Sequence, residues 1–84
     1  MSRFVIDVRD EDSGDSIGYY GGRVPKSVSG LLAIYEIKIV DSIDEAESFV
    51  VQFGAESNAN SLAAEAPGKT FHVREVEATT QNKL

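Results

Sequence analysis

The chain has no cysteine, no tryptophan, one histidine and two prolines. Without cysteine there is neither a disulfide scaffold nor a thiolate zinc site. A single histidine confines any Ser-His-Asp centre to His72. Long apolar runs are missing as well. None approaches the roughly 20 residues that span a bilayer, and the first residues show no basic stretch followed by an apolar segment. Positive charge is scarce: Lys+Arg 8 against Asp+Glu 14, a net charge of −6. At pI ≈ 4.6 a basic surface that tracks phosphates is not expected.

What is present points to one small sheet-rich domain. A length of 84 residues leaves room for a single core. A chain of this size buries only about 60–65% of the surface it exposes when unfolded. Valine and isoleucine (9 and 6) far outnumber leucine (4). Their β-branched side chains are stiff at χ1 and suit a pleated, half-buried surface. At 42% hydrophobic and 26% charged, the composition is that of a folded globule.

Residues 3–9 alternate with period 2: Phe4, Ile6 and Val8 share one face, while Arg3, Asp7 and Arg9 share the other with Val5. That is a strand with one dry face. Residues 10–16 follow as an acidic turn around Gly14. Residues 17–24 form a short strand at Tyr19 and Tyr20, weakened by three glycines and closed by Pro25, which donates no ladder hydrogen bond. Residues 26–32 are read as loop. Residues 33–40 alternate again, with Tyr35, Ile37 and Ile39 on one side.

Ser42 and Glu45 have capping-box spacing, and Ile43, Ala46, Val50 and Phe53, with Phe49 beside them, make an apolar stripe at helical spacing. Gly54 suits the stop of that helix. A strand at residues 49–53 competes with it. Residues 57–66 form a second helical stretch, with Ala59, Leu62, Ala63 and Ala66 on one side, broken by Pro67-Gly68. Residues 69–76 close as a strand with Phe71 and Val73 inward and His72 and Arg74 outward. Residues 77–84 are expected to fray.

The order β-β-β-α-α-β predicts a single α+β domain over residues 1–76. It would be a two-layer fold with an antiparallel sheet of 3–4 strands and one or two helices on one face. The Gly-rich second strand is a candidate exposed edge.

The carboxylates gather in two places. Asp10, Glu11, Asp12 and Asp15 fail the EF-hand pattern, since its sixth and twelfth positions hold Asp15 and Gly21. No metal or cofactor is therefore assigned. Asp41, Asp44, Glu45 and Glu47 are explained by a helix start, where carboxylates oppose the positive end of the dipole. If the fold brought both clusters to one side, they would imitate a row of phosphates and compete for a basic channel. Tyr19 and Tyr20, flanked by Arg23, form the second candidate contact, because Tyr and Arg are enriched at interface hot spots. His72 has no nucleophile at an informative spacing, so the chain is read as non-enzymatic.

Three features carry a resemblance. A strand ends in acids, Phe4-Val5-Ile6-Asp7-Val8-Arg9-Asp10-Glu11-Asp12, and is followed by Tyr19-Tyr20. Ser-Ile-Asp-Glu-Ala-Glu-Ser-Phe stands at 42–49. The chain closes with Pro67-Gly68-Lys69-Thr70-Phe71-His72-Val73-Arg74-Glu75-Val76. In this layout the chain resembles small phage-encoded accessory proteins of the anti-CRISPR, anti-defence type. The resemblance implies a non-enzymatic inhibitor in the cytoplasm of a host bacterial cell. It would bind a host protein or nucleoprotein complex and block nucleic-acid binding or nuclease recruitment, without contacting nucleic acid or membrane itself. Its expected contact residues are Asp10, Glu11, Asp12, Asp15, Tyr19, Tyr20 and Arg23, and its expected state is a monomer or weak homodimer. The alternative is a structural module that assembles through homo-oligomerisation or sheet-edge pairing.

Overall fold

The computed structural model describes residues 2–29 and 32–77. Four strands form one antiparallel sheet: β1 (Ser2–Asp10), β2 (Ser16–Ser29), β3 (Leu32–Val40) and β4 (Lys69–Glu77), in the order β3-β2-β1-β4. One helix, α1 (Gln52–Glu65), packs on the sheet. This is the α+β two-layer architecture that the alternation implies. Of residues 77–84, where fraying is expected, Glu77 is instead the last residue of β4, opposite Ser2, and 78–84 lie outside the described residues, as do Gly30 and Leu31 of the expected loop.

β1 sits deepest. Val5, Ile6 and Val8 are fully buried, because β1 has a strand on each side and cover on each face. Ile6 and Val8 point toward α1 and meet Leu62, Ala59 and Tyr20. Phe71 and Val73 stand opposite Val8 and Ile6 on β4 and continue this face. On the other face, Val5 packs with Val40 and Ala46. The periodicity places Val5 among polar residues facing water. The chain between β3 and α1 folds over it instead.

That connection is where sequence and structure differ most. Ser42 does cap a turn, but its hydroxyl accepts from the Asp44 amide at 3.1 Å, and only a 3₁₀ turn, Ile43–Glu45, follows. Phe49 then pairs with Phe4 through both backbone bonds, at 2.9 and 2.8 Å, and the Glu47 amide donates to the Tyr20 carbonyl at 2.8 Å. The reason is local to β1. β2 pairs with β1 only alongside Asp7, Val8 and Arg9, which leaves the Phe4 backbone groups without a strand partner on the β2 side. Backbone groups beside a buried strand must be paired, and residues 47–49 supply the pairing. The connection thereby passes from one face of the sheet to the other. The helix begins only at Gln52, without a side-chain cap, and runs through Gly54 rather than stopping there. Phe53 and Val50, expected in the core, are 80% and 85% exposed.

β2 is also longer than expected. It continues through Pro25, which stands opposite Tyr35, and the register slips between Pro25 and Ser27. Residues 26–29 and 32 are therefore strand rather than loop. The bulge absorbs the missing proline N–H. Tyr35, read as inward, is exposed beside this bulge. β2 stands between β1 and β3, so the Gly-rich strand is interior over its first residues, and the outer strands of the sheet are β3 and β4.

Candidate interaction surfaces

The β1–β2 turn is a built structure rather than a floppy acidic run. One Asp10 carboxylate oxygen accepts from the amides of Asp12 (2.7 Å) and Ser13 (3.2 Å). The Asp10 carbonyl accepts from the Gly14 amide at 2.8 Å, and the Asp10 amide donates to the Asp15 carbonyl at 2.9 Å. Gly14 takes φ +77°, the left-handed conformation that closes the turn. The Ser13 hydroxyl accepts from the Asp15 amide, and the Glu11 amide donates to the Gly68 carbonyl, tying the tip to the start of β4. Asp10 is thus a turn-forming residue. Glu11, Asp12 and Asp15 are exposed, and among the described residues none of their carboxylates has an ion-pair partner.

The two acidic clusters do not merge. Asp44 lies 4.0 Å from Arg3 at the beginning of β1, while the acidic turn follows its last residue, Asp10. At about 3.3 Å per residue the strand places Asp44 roughly 23 Å from the turn, whereas Asp41, next after Val40 opposite Tyr19, lies beside the start of β2 and apart from Asp44. The 41–47 carboxylates stand around a 3₁₀ turn and an extended segment, not a helix start.

The tyrosine pair is divided by the sheet. Tyr20 is 5% exposed and belongs to the core under α1, which withdraws it from any contact surface. Tyr19 points to the opposite face, packs against Val5, Val40 and Ala46, and accepts a hydrogen bond from Arg74 at 3.1 Å. Alternation along a strand covered on both faces explains the split. Arg23 is engaged as well, donating to both carboxylate oxygens of Glu65 at 2.5 and 2.6 Å.

This bidentate pair holds the Glu65 carboxyl below the usual carboxylate range, chiefly through the Arg23 hydrogen bond. The same hydrogen bond raises Arg23. A depressed carboxyl contributes stability above its unfolded pKa and loses it as pH falls through the folded value. Both groups are largely in water, so salt screens the pair. Replacing Arg23 with glutamine is expected to move the Glu65 titration upward into the ordinary glutamate range in a side-chain NMR titration. An unmoved midpoint would contradict the bidentate contact.

Asp7 is the polar group that the alternation misplaces. It is 5% exposed and accepts from Arg9 Nε at 2.9 Å and from the Ser16 hydroxyl at 2.7 Å. His72 stands opposite Asp7 on β4, yet its Nε2 is bonded to the Thr70 hydroxyl at 3.0 Å. Ser16, Asp7 and His72 therefore form no relay: the serine serves the aspartate, and the histidine is engaged elsewhere. No sequence signal marks Asp7, because its burial depends on what folds over that face.

A shallow cleft of about 330 Å³ lies between β3 and the end of α1, lined by Tyr35, Glu36, Ile37 and Ile39 on one side and by Glu65, Ala66 and Lys69 on the other. Among the described residues no group of three side chains could hold a metal ion, and no helix is long and apolar enough to cross a membrane. No family model matches the chain, nor does any curated protein or solved structure.

Proposed function

We propose that the chain is a small protein-binding inhibitor of the anti-defence kind its sequence resembles, and that it presents the β1–β2 turn to a basic, nucleic-acid-binding surface of a host protein complex. The observation that supports this reading is the tip itself. Among the described residues its three exposed carboxylates have no ion-pair partner, and the turn is braced by backbone hydrogen bonds. Elsewhere Asp7, Asp44 and Glu65 stand beside Arg9, Arg3 and Arg23. Unneutralised charge steers association toward basic clefts, and a preformed turn loses little entropy on docking. Tyr20 takes no part in this surface, and Arg23 enters only as the partner of Glu65.

The test leaves Asp10 in place, because its carboxylate builds the turn. The triple variant Glu11→Gln, Asp12→Asn, Asp15→Asn is compared with wild type in capture from bacterial lysate at low and high salt, read by mass spectrometry. Wild type is expected to retain nucleic-acid-binding proteins at low salt and to release them to excess duplex DNA. The triple variant, still folded by circular dichroism, is expected to retain none of them. Equal, salt-insensitive capture by both proteins would sink the proposal.

A further inference from the structure

The outer edge of β4 is self-complementary. β4 is the last strand of the sheet, and no described segment pairs with its far side. Phe71 and Val73 remain partly exposed, although Val8 and Ile6 directly opposite them are fully buried. An open edge bordered by half-covered apolar side chains is a surface that another strand can complete.

The order of residues along β4 selects the partner. Antiparallel pairing of the strand with a second copy of itself must match residues whose backbone groups both point outward, so the register moves in steps of two. Centred on His72, Lys69 meets the second copy's Glu75, Phe71 meets its Val73, and Thr70 meets its Arg74, each pair occurring twice by symmetry. Opposite charges and aromatic–β-branched pairs are the cross-strand matches that stabilise sheets. Centred on Phe71, Lys69 meets Val73. Centred on Val73, Phe71 meets Glu75 and His72 meets Arg74. Centred on Arg74, two arginines meet. Lysine and glutamate on an edge normally repel foreign strands. Here their spacing matches the strand to its own copy.

We propose that the protein forms a symmetric homodimer through β4, joining two four-stranded sheets into one, with His72 at the two-fold axis. The argument for this dimer uses none of the acidic-turn carboxylates, although the turn adjoins the start of β4 through the Glu11–Gly68 hydrogen bond.

The cysteine-free chain makes the register directly testable. Under mild oxidation, His72→Cys is expected to give a covalent dimer on a non-reducing gel, because only this register sets residue 72 against itself. Thr70→Cys, which would face Arg74, is expected to give none. In light scattering, Glu75→Lys is expected to weaken dimerisation about tenfold, as two attractive pairs become repulsive. Lys69→Glu added to Glu75→Lys is expected to restore it. Circular dichroism checks that each variant is folded. A wild-type monomer at about 1 mM would overturn the proposal. So would equal cross-linking at positions 70 and 72, or a charge swap that fails to restore association while remaining folded.

Discussion

Gly18→Ala is expected to remove much of the stability of this domain. Gly18 holds φ +144°, a conformation that side chains rarely adopt. A Cβ added there would lie 2.6 Å from the Val40 carbonyl oxygen and 2.6 Å from Ile39 Cγ2. The carbonyl cannot step aside cheaply. Val40 is paired with Tyr19, and its side chain closes the second core cluster. The backbone strain costs about 1–3 kcal/mol and the overpacking about 1–3 kcal/mol more. A domain of this length is stable by about 4–12 kcal/mol in total. A melting temperature at least about 10 °C lower is the expected result. Gly14→Ala supplies the comparison. It also carries a positive φ, at +77°, but its Cβ meets nothing within 4 Å, so only strain remains. Equal melting of the two variants would show that the approach of β2 to β3 is looser than described.

Leu62→Ala is expected to cost about 2–5 kcal/mol. Leu62 is the one large side chain among the buried residues of α1, the others being Ala55 and Ala59. It is fully buried in the cluster with Ile6, Val8 and Tyr20. Its truncation opens a cavity at the centre of the helix–sheet contact, and the two alanines cannot close it. Amide exchange within α1 is expected to accelerate before exchange in β1 and β4, because the helix loses its anchor while the sheet keeps its ladders. Phe53→Ala, at 80% exposure, is expected to change stability by no more than about 0.5 kcal/mol. The pattern of helical spacing gives these two residues similar standing. Comparable losses from both would place the start of α1 against the sheet and contradict the fold.

Strands β1, β3 and β4 were legible because period-2 alternation is written locally and needs only a strand's own residues to display it. The helical register of Ala59 and Leu62 was legible for the same reason. Residues 42–53 were not. Their caps and spacing favour a helix, yet Phe49 is drawn into a bridge by the unpaired backbone of Phe4, a demand arising far away in sequence. The candidate site was legible in part. Asp10, Glu11, Asp12 and Asp15 do form an exposed turn, but the structural use of Asp10 appears only in its hydrogen bonds. Tyr20 and Arg23 could not be judged from neighbouring residues, since the helix covers the first and Glu65 binds the second.

The sequence by itself determined that this is one small acidic α+β domain without cysteine chemistry, that three strands alternate, and that a turn dense in carboxylates follows the first of them. Those properties follow from composition and short-range periodicity. Only the tertiary structure decided that the Gly-rich strand stands between β1 and β3 while β3 and β4 are the outer strands, that Val5 and Asp7 are buried, and that Asp44 lies at the end of β1 away from the acidic turn. Those depend on which backbone groups are left to satisfy once the strands have paired, and chain segments distant in sequence satisfy them.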